Sequence, residues 1–355
     1  MGLLYTKMKV FHYPEKLASL PRGAAPHTAP LQIRIKPTNS CNHNCYYCAY
    51  RVENQDLGQD MNVKDFIPRE KMLELLDDCI AMGVKAITFS GGGEPFCYRY
   101  FSESIEKLAQ SPVKFAALTN GSLLSGGIAE LFSHHGTWIR VSLDGWDDMS
   151  YAGYRGCGEG EFSKVISNME NFKRIGGRCY LGVSIIVDQK NVDHLYGLIS
   201  RLKHIGVDSV KISPCIVSNS GSENNRYHAP IFSQVKDIIR RAKEDFGDAR
   251  FELFDSYHGQ LETFEKYYDW CPYIQLVPVI GADLNLYSCH DKAYSRSGIL
   301  ASLKEKRLAD AWFQDENIFF RINPANDCNH HCVSNEKNML IHEYLSADFH
   351  HLDFV

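Results

Sequence analysis

LQIRIK, residues 31–36, runs by way of Pro37 and Thr38 into NSCNHNCYYCAY, residues 39–50. The first piece is a short apolar run of the kind that forms a strand. The second places Cys41, Cys45 and Cys48 within eight residues and then supplies no further cysteine until Cys79. A strand that empties into a ligand-bearing loop is the unit of parallel α/β folds, whose chemistry sits at the C-terminal ends of the strands.

Outward from this loop the unit repeats. PREKMLELLDDCIAMG (68–83) carries Met72, Leu75, Leu76, Cys79 and Ile80 at i, i+3, i+4, i+7 and i+8, with Pro68 near its start and Gly83 at its end, and reads as an amphipathic helix. Apolar runs follow at AITFS (86–90), VKFAALT (113–119), WIRVSL (138–143), YLGVSIIV (180–187) and SVKIS (209–213). Helical segments near 99–110, 124–134, 161–175 and 191–205 separate them. Near-continuous apolar strands alternating with helices indicate a parallel sheet covered by helices, here six βα units over residues 31–230. The conspicuous motifs fall at the strand ends: SGGGEP (90–95), TNG (119–121), SLDG (142–145) and SPC (213–215).

The 355 residues are 44% hydrophobic, and 38 Lys+Arg against 43 Asp+Glu leave a formal charge of −5 without a long basic run, so nothing marks a nucleic-acid or membrane surface. Lys7 and Lys9 interrupt the apolar start, and no segment nears the about 18 apolar residues of a spanning helix. The expectation is a cytoplasmic protein whose twelve cysteines include metal ligands rather than a disulfide framework. After Cys215 the composition changes: VSNSGSENN (217–225) is a polar linker, 231–246 reads as a helix, and the rest is irregular and rich in Tyr, Phe, His and Cys. The expected organisation is an N-terminal extension (1–30), the βα region (31–230) and a smaller C-terminal domain (231–355).

Three thiolates in one loop can hold three corners of a cubane [4Fe–4S] cluster and leave the fourth iron open for a ligand, as three protein ligands do at catalytic zinc. A zinc site completed by His43, or three free thiols, are the alternatives. CNHNCYYC, a CxxxCxxC with an aromatic residue before the last cysteine, followed in order by SGGGEP, TNG and VSLDG, resembles the signature of the radical S-adenosylmethionine (radical SAM) superfamily. The resemblance implies a partial (β/α)6 barrel. It also implies that Cys41, Cys45 and Cys48 hold a [4Fe–4S] cluster whose unique iron chelates SAM, and that a donor such as flavodoxin or ferredoxin supplies the electron that releases a 5′-deoxyadenosyl radical. By the same resemblance Gly92, Gly93 and Glu94 approach the methionyl part of SAM and receive its ammonium group. Ser142 bonds the ribose, Arg155 in YRGCGEGEF pairs with the carboxylate, and Tyr47 flanks the adenine. Plainer readings are a tight turn, a satisfied hydroxyl and a solvated charge. The chain departs from the usual GGEP by one extra glycine.

Cys271, Cys289, Cys328 and Cys332 form a second group, with 17, 38 and 3 residues between them. CNHHC (328–332) echoes CNHNC but lacks a third cysteine, and reads as half of a four-ligand site closed by the WCP and YSCHD cysteines. The arrangement resembles the twitch domain, a shortened SPASM domain with one auxiliary [4Fe–4S] cluster; a four-cysteine zinc site is the alternative. Cys97, Cys157, Cys179 and Cys215 read as packing residues, with Cys215 placed to donate a hydrogen atom at the end of the sixth strand.

The resulting expectation is an oxidoreductase acting on a small molecule, a sugar, aminocyclitol or nucleotide sugar, by oxidation, epimerisation or radical coupling. A peptide or protein maturase of the SPASM type is the alternative, weighed down by the mere 40 residues before Cys41.

Overall fold

The computed structural model describes residues 4–20, 27–52, 55, 57–262 and 264–353; parts of the expected extension, 1–3 and 21–26, lie outside the described residues. Its strands are β1 (Gln32–Ile35), β2 (Ala86–Phe89), β3 (Lys114–Thr119), β4 (Trp138–Ser142), β5 (Tyr180–Val187), β6 (Ser209–Pro214), β7 (Glu252–Asp255), β8 (Val279–Ile280), β9 (Asn285–Tyr287) and β10 (Ile299–Ser302). All ten join one sheet in the order β10-β9-β8-β1-β2-β3-β4-β5-β6-β7. Strands β1 to β7 pair in parallel in chain order, as alternating strands and helices require.

The sheet extends past residue 230 at both edges. β7 adds a seventh parallel strand, and β8 pairs in parallel with the free edge of β1, followed by antiparallel β9 and β10. One apolar core contains Ile33, Ile87, Val141 and Val210 together with Val235, Leu253, Ile280 and Trp312, so the C-terminal segment shares the core of the βα region. Asp78, buried on the helix Arg69–Ala81, ties the two together by accepting from Arg307 Nε and from the Leu308 backbone, both at 2.9 Å. The apolar face of that helix is the one its spacing predicts, with Met72, Leu75, Leu76 and Cys79 buried.

The strands alternate rather than being apolar on both faces. Ile33, Ile35, Ile139, Val141, Val210 and Ile212 pack against helices, while Arg34, Lys36, Thr88, Arg140, Ser142, Ser184 and Lys211 occupy the opposite face. That face is concave. Arg34 and Lys211 are on β1 and β6, which a flat sheet would hold about 24 Å apart, yet each lies within the other's electrostatic reach and that of His290. Tyr5 covers the concave face near the start of β6: it stacks on Phe254 at 4.4 Å, meets Ser209 Oγ at 3.1 Å and accepts from Arg140 Nη2 at 2.9 Å. Among the described residues no helix is long and apolar enough to cross a membrane.

Candidate functional site

The cysteine loop is irregular and is held from outside. Glu94 N donates to Ser40 O at 2.9 Å and Gly93 N to Thr38 O at 3.2 Å, which stitches the loop to SGGGEP. On the other side Asn44 N donates to Arg155 O at 2.7 Å and Tyr46 N to Tyr154 O at 3.3 Å, which fastens it to the helix Asp148–Arg155. Gly156, at φ 55°, ends that helix so close to the loop that a Cβ would sit 2.3 Å from Asn44 O.

The glycines serve the same close approach. A Cβ on Gly93 would lie 2.0 Å from Ser40 O, and one on Gly92 2.5 Å from both Asn39 Oδ1 and Met61 Sδ. The extra glycine, Gly91, leaves no room either, because its Cβ would lie 1.4 Å from Gly93 O, and its carbonyl accepts from Lys36 Nζ at 2.9 Å. Beside this loop two buried acceptors, Asn39 Oδ1 and Ser90 Oγ, have no hydrogen-bond partner among the described residues.

Glu94 is almost fully buried, and its carboxylate already holds neighbouring segments. It accepts from Thr119 Oγ1 at 2.6 Å, from Asn120 N at 2.7 Å and from Phe96 N at 3.1 Å. Burial pushes its pKa up while these bonds pull it down. Asn120 Nδ2 in turn reaches Asn42 Oδ1 at 2.8 Å, so SGGGEP, TNG and the cysteine loop form one bonded set.

A second set surrounds Asp144 of SLDG, which is fully buried. Its carboxylate accepts from Tyr47 OH, from Arg155 Nη2 and, at 2.7 Å, from Ile186 N. Arg155 Nη1 stands 3.7 Å from Cys45 Sγ, and Arg155 Nε is buried without a partner. Tyr47 and Arg155 therefore meet at one carboxylate beside the cysteine loop. Ser142 lies two residues away on the concave face, in register with Ser184. Asp144 was legible only as a letter of the SLDG motif. Asp188, at the end of β5, was missed altogether: it accepts from Tyr46 OH and, at 2.6 Å, from Tyr154 OH.

Cys41, Cys45 and Cys48 are half-buried and all twelve cysteines are free. Burial, with Cys45 and Glu94 nearby, pushes the Cys41 thiol up to about 11, and burial likewise raises Cys48. Thiols so placed become thiolates only when a cation compensates them, which suits an all-sulfur donor set for iron. The orphaned acceptors at SGGGEP and the spare Arg155 Nε suit an ammonium and a carboxylate, the two groups with which SAM would bind. The residues present thus fit both cofactors.

Cys271, Cys289, Cys328 and Cys332, from three separate segments, lie within one another's electrostatic reach. Burial comes first in raising each of them, Cys271 to about 11. Asn338 Nδ2 donates to Cys271 Sγ at 3.2 Å and Ser334 N to Cys332 Sγ at 3.4 Å, the kind of support that orients metal ligands. His290 bonds Tyr50 OH at 3.1 Å and His331 bonds Asn225 Oδ1 at 3.2 Å. Among the described residues no three Cys, His, Asp or Glu side chains converge as they would on a single metal ion. Of the remaining cysteines Cys215 is 3% exposed.

Residues 35–195 match the family model described as the Radical SAM superfamily. This stretch is similar to radical SAM domains. The chain is 28% identical over 215 residues to the probable GTP 3′,8-cyclase of Methanocella arvoryzae, covering 59% of this chain and 64% of that protein. It is 25% identical over 174 residues to the GTP 3′,8-cyclase of Aeromonas hydrophila, covering 48% and 50%. The matches thus span between half and just under two thirds of these curated relatives. The fold is shared with Streptococcus suis SuiB bound to its precursor peptide SuiA, at a TM-score of 0.63 and 15% identity over 82% of this chain and 66% of that one. It is shared also with anSMEcpe with bound AdoMet, at 0.60 and 16% over 89% and 95%.

Proposed function

We propose that the protein is a radical SAM enzyme acting on a small molecule, a sugar, aminocyclitol or nucleotide sugar, with oxidation, epimerisation or coupling as the outcome. The observation that carries this is the gathering at adjacent strand ends of the three-cysteine loop, the glycine loop with its orphaned acceptors, and the Tyr47–Asp144–Arg155 set. A [4Fe–4S] cluster on Cys41, Cys45 and Cys48 supplies, when bound and reduced, the electron that cleaves SAM to methionine and a 5′-deoxyadenosyl radical. Asn39, Ser90 and the backbone of Gly92 and Gly93 receive the ammonium end. Arg155, oriented by Asp144, turns its spare N–H to the carboxylate, and Tyr47 borders the adenine. Glu94 acts by holding TNG against the cysteine loop.

The four C-terminal cysteines would hold an auxiliary cluster, which would supply an electron acceptor for the oxidation of substrate. Flavodoxin or ferredoxin is the class of reductant. The two nucleotide-named relatives support a small-molecule substrate. A maturase reading is favoured by one feature: an open cleft of about 310 Å³ lined by Tyr46, Trp146, Met149, Tyr154 and Lys190, next to the cysteine loop and wide enough for a peptide side chain. The test is anaerobic incubation of reconstituted, reduced protein with SAM and deuterium-labelled sugars or peptides. Label entering 5′-deoxyadenosine from a sugar supports the first reading, and label entering only from a peptide replaces it with the second.

A further inference from the structure

The concave face gathers positive charge that the reading above does not use. Arg34 on β1, Arg140 on β4 and Lys211 on β6 all lie on it, and Lys337 approaches from the helix Asn335–Leu345. Lys211 feels Arg140, Lys337 and Arg34, and Arg34 feels Arg140, so the four form one cluster. Among the described residues no ion pair joins any of them to a carboxylate. The acids in reach are few: Asp291 acts on Arg34, Glu252 faces Lys9, and Glu336 near Lys337 is paired with Lys7 at 2.6 Å. Arg140 keeps a buried Nε without a partner. Burial, and then the charges of Arg140, Lys337 and Arg34, bring the Lys211 ammonium down to about 7, as happens to a cation lacking its counter-ion.

Partly buried cations held together with so few acids cost free energy unless a ligand supplies the negative charge. The thiols of the C-terminal group are one candidate, since Cys289 acts on Arg34 and Cys332 on Lys337. Lys211, however, is acted on by no thiol. Two guanidinium groups and an ammonium match the oxygens of a phosphate or diphosphate, whereas a peptide brings at most scattered single carboxylates. Arg34, Arg140 and Lys211 lie one, two and three residues before the ends of their strands, about 3–10 Å below those ends. An anion there leaves the attached carbons at the rim.

We propose that Arg34, Arg140 and Lys211, with Lys337 closing over them, bind the phosphate or diphosphate of a phosphorylated small-molecule substrate. This deepens the small-molecule reading and rests on it. The test titrates inorganic pyrophosphate into the reconstituted full-length protein by calorimetry at two ionic strengths. Wild type should bind, more weakly in higher salt. Lys211→Met and Arg34→Gln should each weaken binding about tenfold or more, Lys211→Arg should restore it, and Lys236→Met on an exposed helix should bind as wild type does. Iron content and circular dichroism are read on every variant. No binding by wild type at millimolar pyrophosphate overturns the site, and so does equal binding by Lys211→Met. Loss of iron with pyrophosphate binding intact also overturns it, by assigning the cations to the cluster. Wild-type SAM cleavage is scored in the same preparation. Cleavage without pyrophosphate binding removes the anion site alone, and pyrophosphate binding without cleavage removes the radical SAM function alone.

Discussion

Replacing Asp144 by Asn removes one charge and keeps the shape of the side chain. In the native protein that carboxylate is fully buried and faces Arg155, itself 5% exposed, along with Tyr47 OH and Ile186 N. The amide oxygen can still accept from Ile186 N, so the main loss is the partner of a buried guanidinium, which costs about 3–5 kcal/mol when only one member of the pair is removed. Against a total stability of about 5–15 kcal/mol that is a large fraction. Removing both members in Asp144→Asn/Arg155→Met should cost less than the sum of the two single variants, with a coupling of about 2–3 kcal/mol, because no charge is then left stranded. The assay is urea unfolding of the four proteins followed by circular dichroism under anaerobic conditions. In parallel, the EPR response of the reduced N-terminal cluster to SAM should weaken in Asp144→Asn, since Arg155 loses the group that aims it. Additive single effects, or an Asn variant within about 1 kcal/mol of wild type, would refute the idea that this pair organises the site.

Anaerobically reconstituted protein should hold about eight irons, and changing Cys41, Cys45 and Cys48 together to Ala should leave about four; stoichiometric zinc with half the iron would overturn the auxiliary cluster. Gly93→Ala should displace the cysteine loop and lower first-site iron, because its Cβ would lie 2.0 Å from Ser40 O, whereas Gly127→Ala, with nothing within 4 Å in a helix, should stabilise by about 0.4–1 kcal/mol in the same unfolding assay. Changing Cys328 and Cys332 to Ala should abolish net substrate oxidation while SAM cleavage persists, provided first-cluster spectra are retained; unchanged oxidation by the folded variant would make the second site structural.

The strands from β1 to β6 were legible because each is an apolar run closed by a motif or a turn. β7 and β8 were not. ELFD has an acid at each end of two apolar residues and VI is only two residues long, so neither reads as an apolar run, and what makes them strands is a partner edge supplied from far along the chain. The C-terminal region looked like a separate unit for the same reason: Asp78 and Arg307 meet across 229 residues, and no local pattern announces that bond. At the site, the motifs located the right loops but not the bonds inside them. Glu94 reads as an exposed carboxylate awaiting a ligand until Thr119, Asn120 and Phe96 are seen to occupy it. The polar lining of the sheet was hidden by averaging, since Arg34, Arg140 and Lys211 each sit between Ile or Val residues in runs that read as apolar overall.

The pairing of β8 with β1 also sets an order of assembly. Arg34 N and Lys36 N donate to Pro278 O and Ile280 O, so the outer edge of the first strand is closed by residues made some 240 positions later. During synthesis that edge, with the three-thiol loop at its end, stands open until most of the chain has emerged. Open edges recruit other strands, and contacts this distant in sequence form slowly. A fragment ending near residue 230 would keep all four motifs and still expose a bare sheet edge to its neighbours, so the motif-bearing part is the one expected to aggregate when cut free.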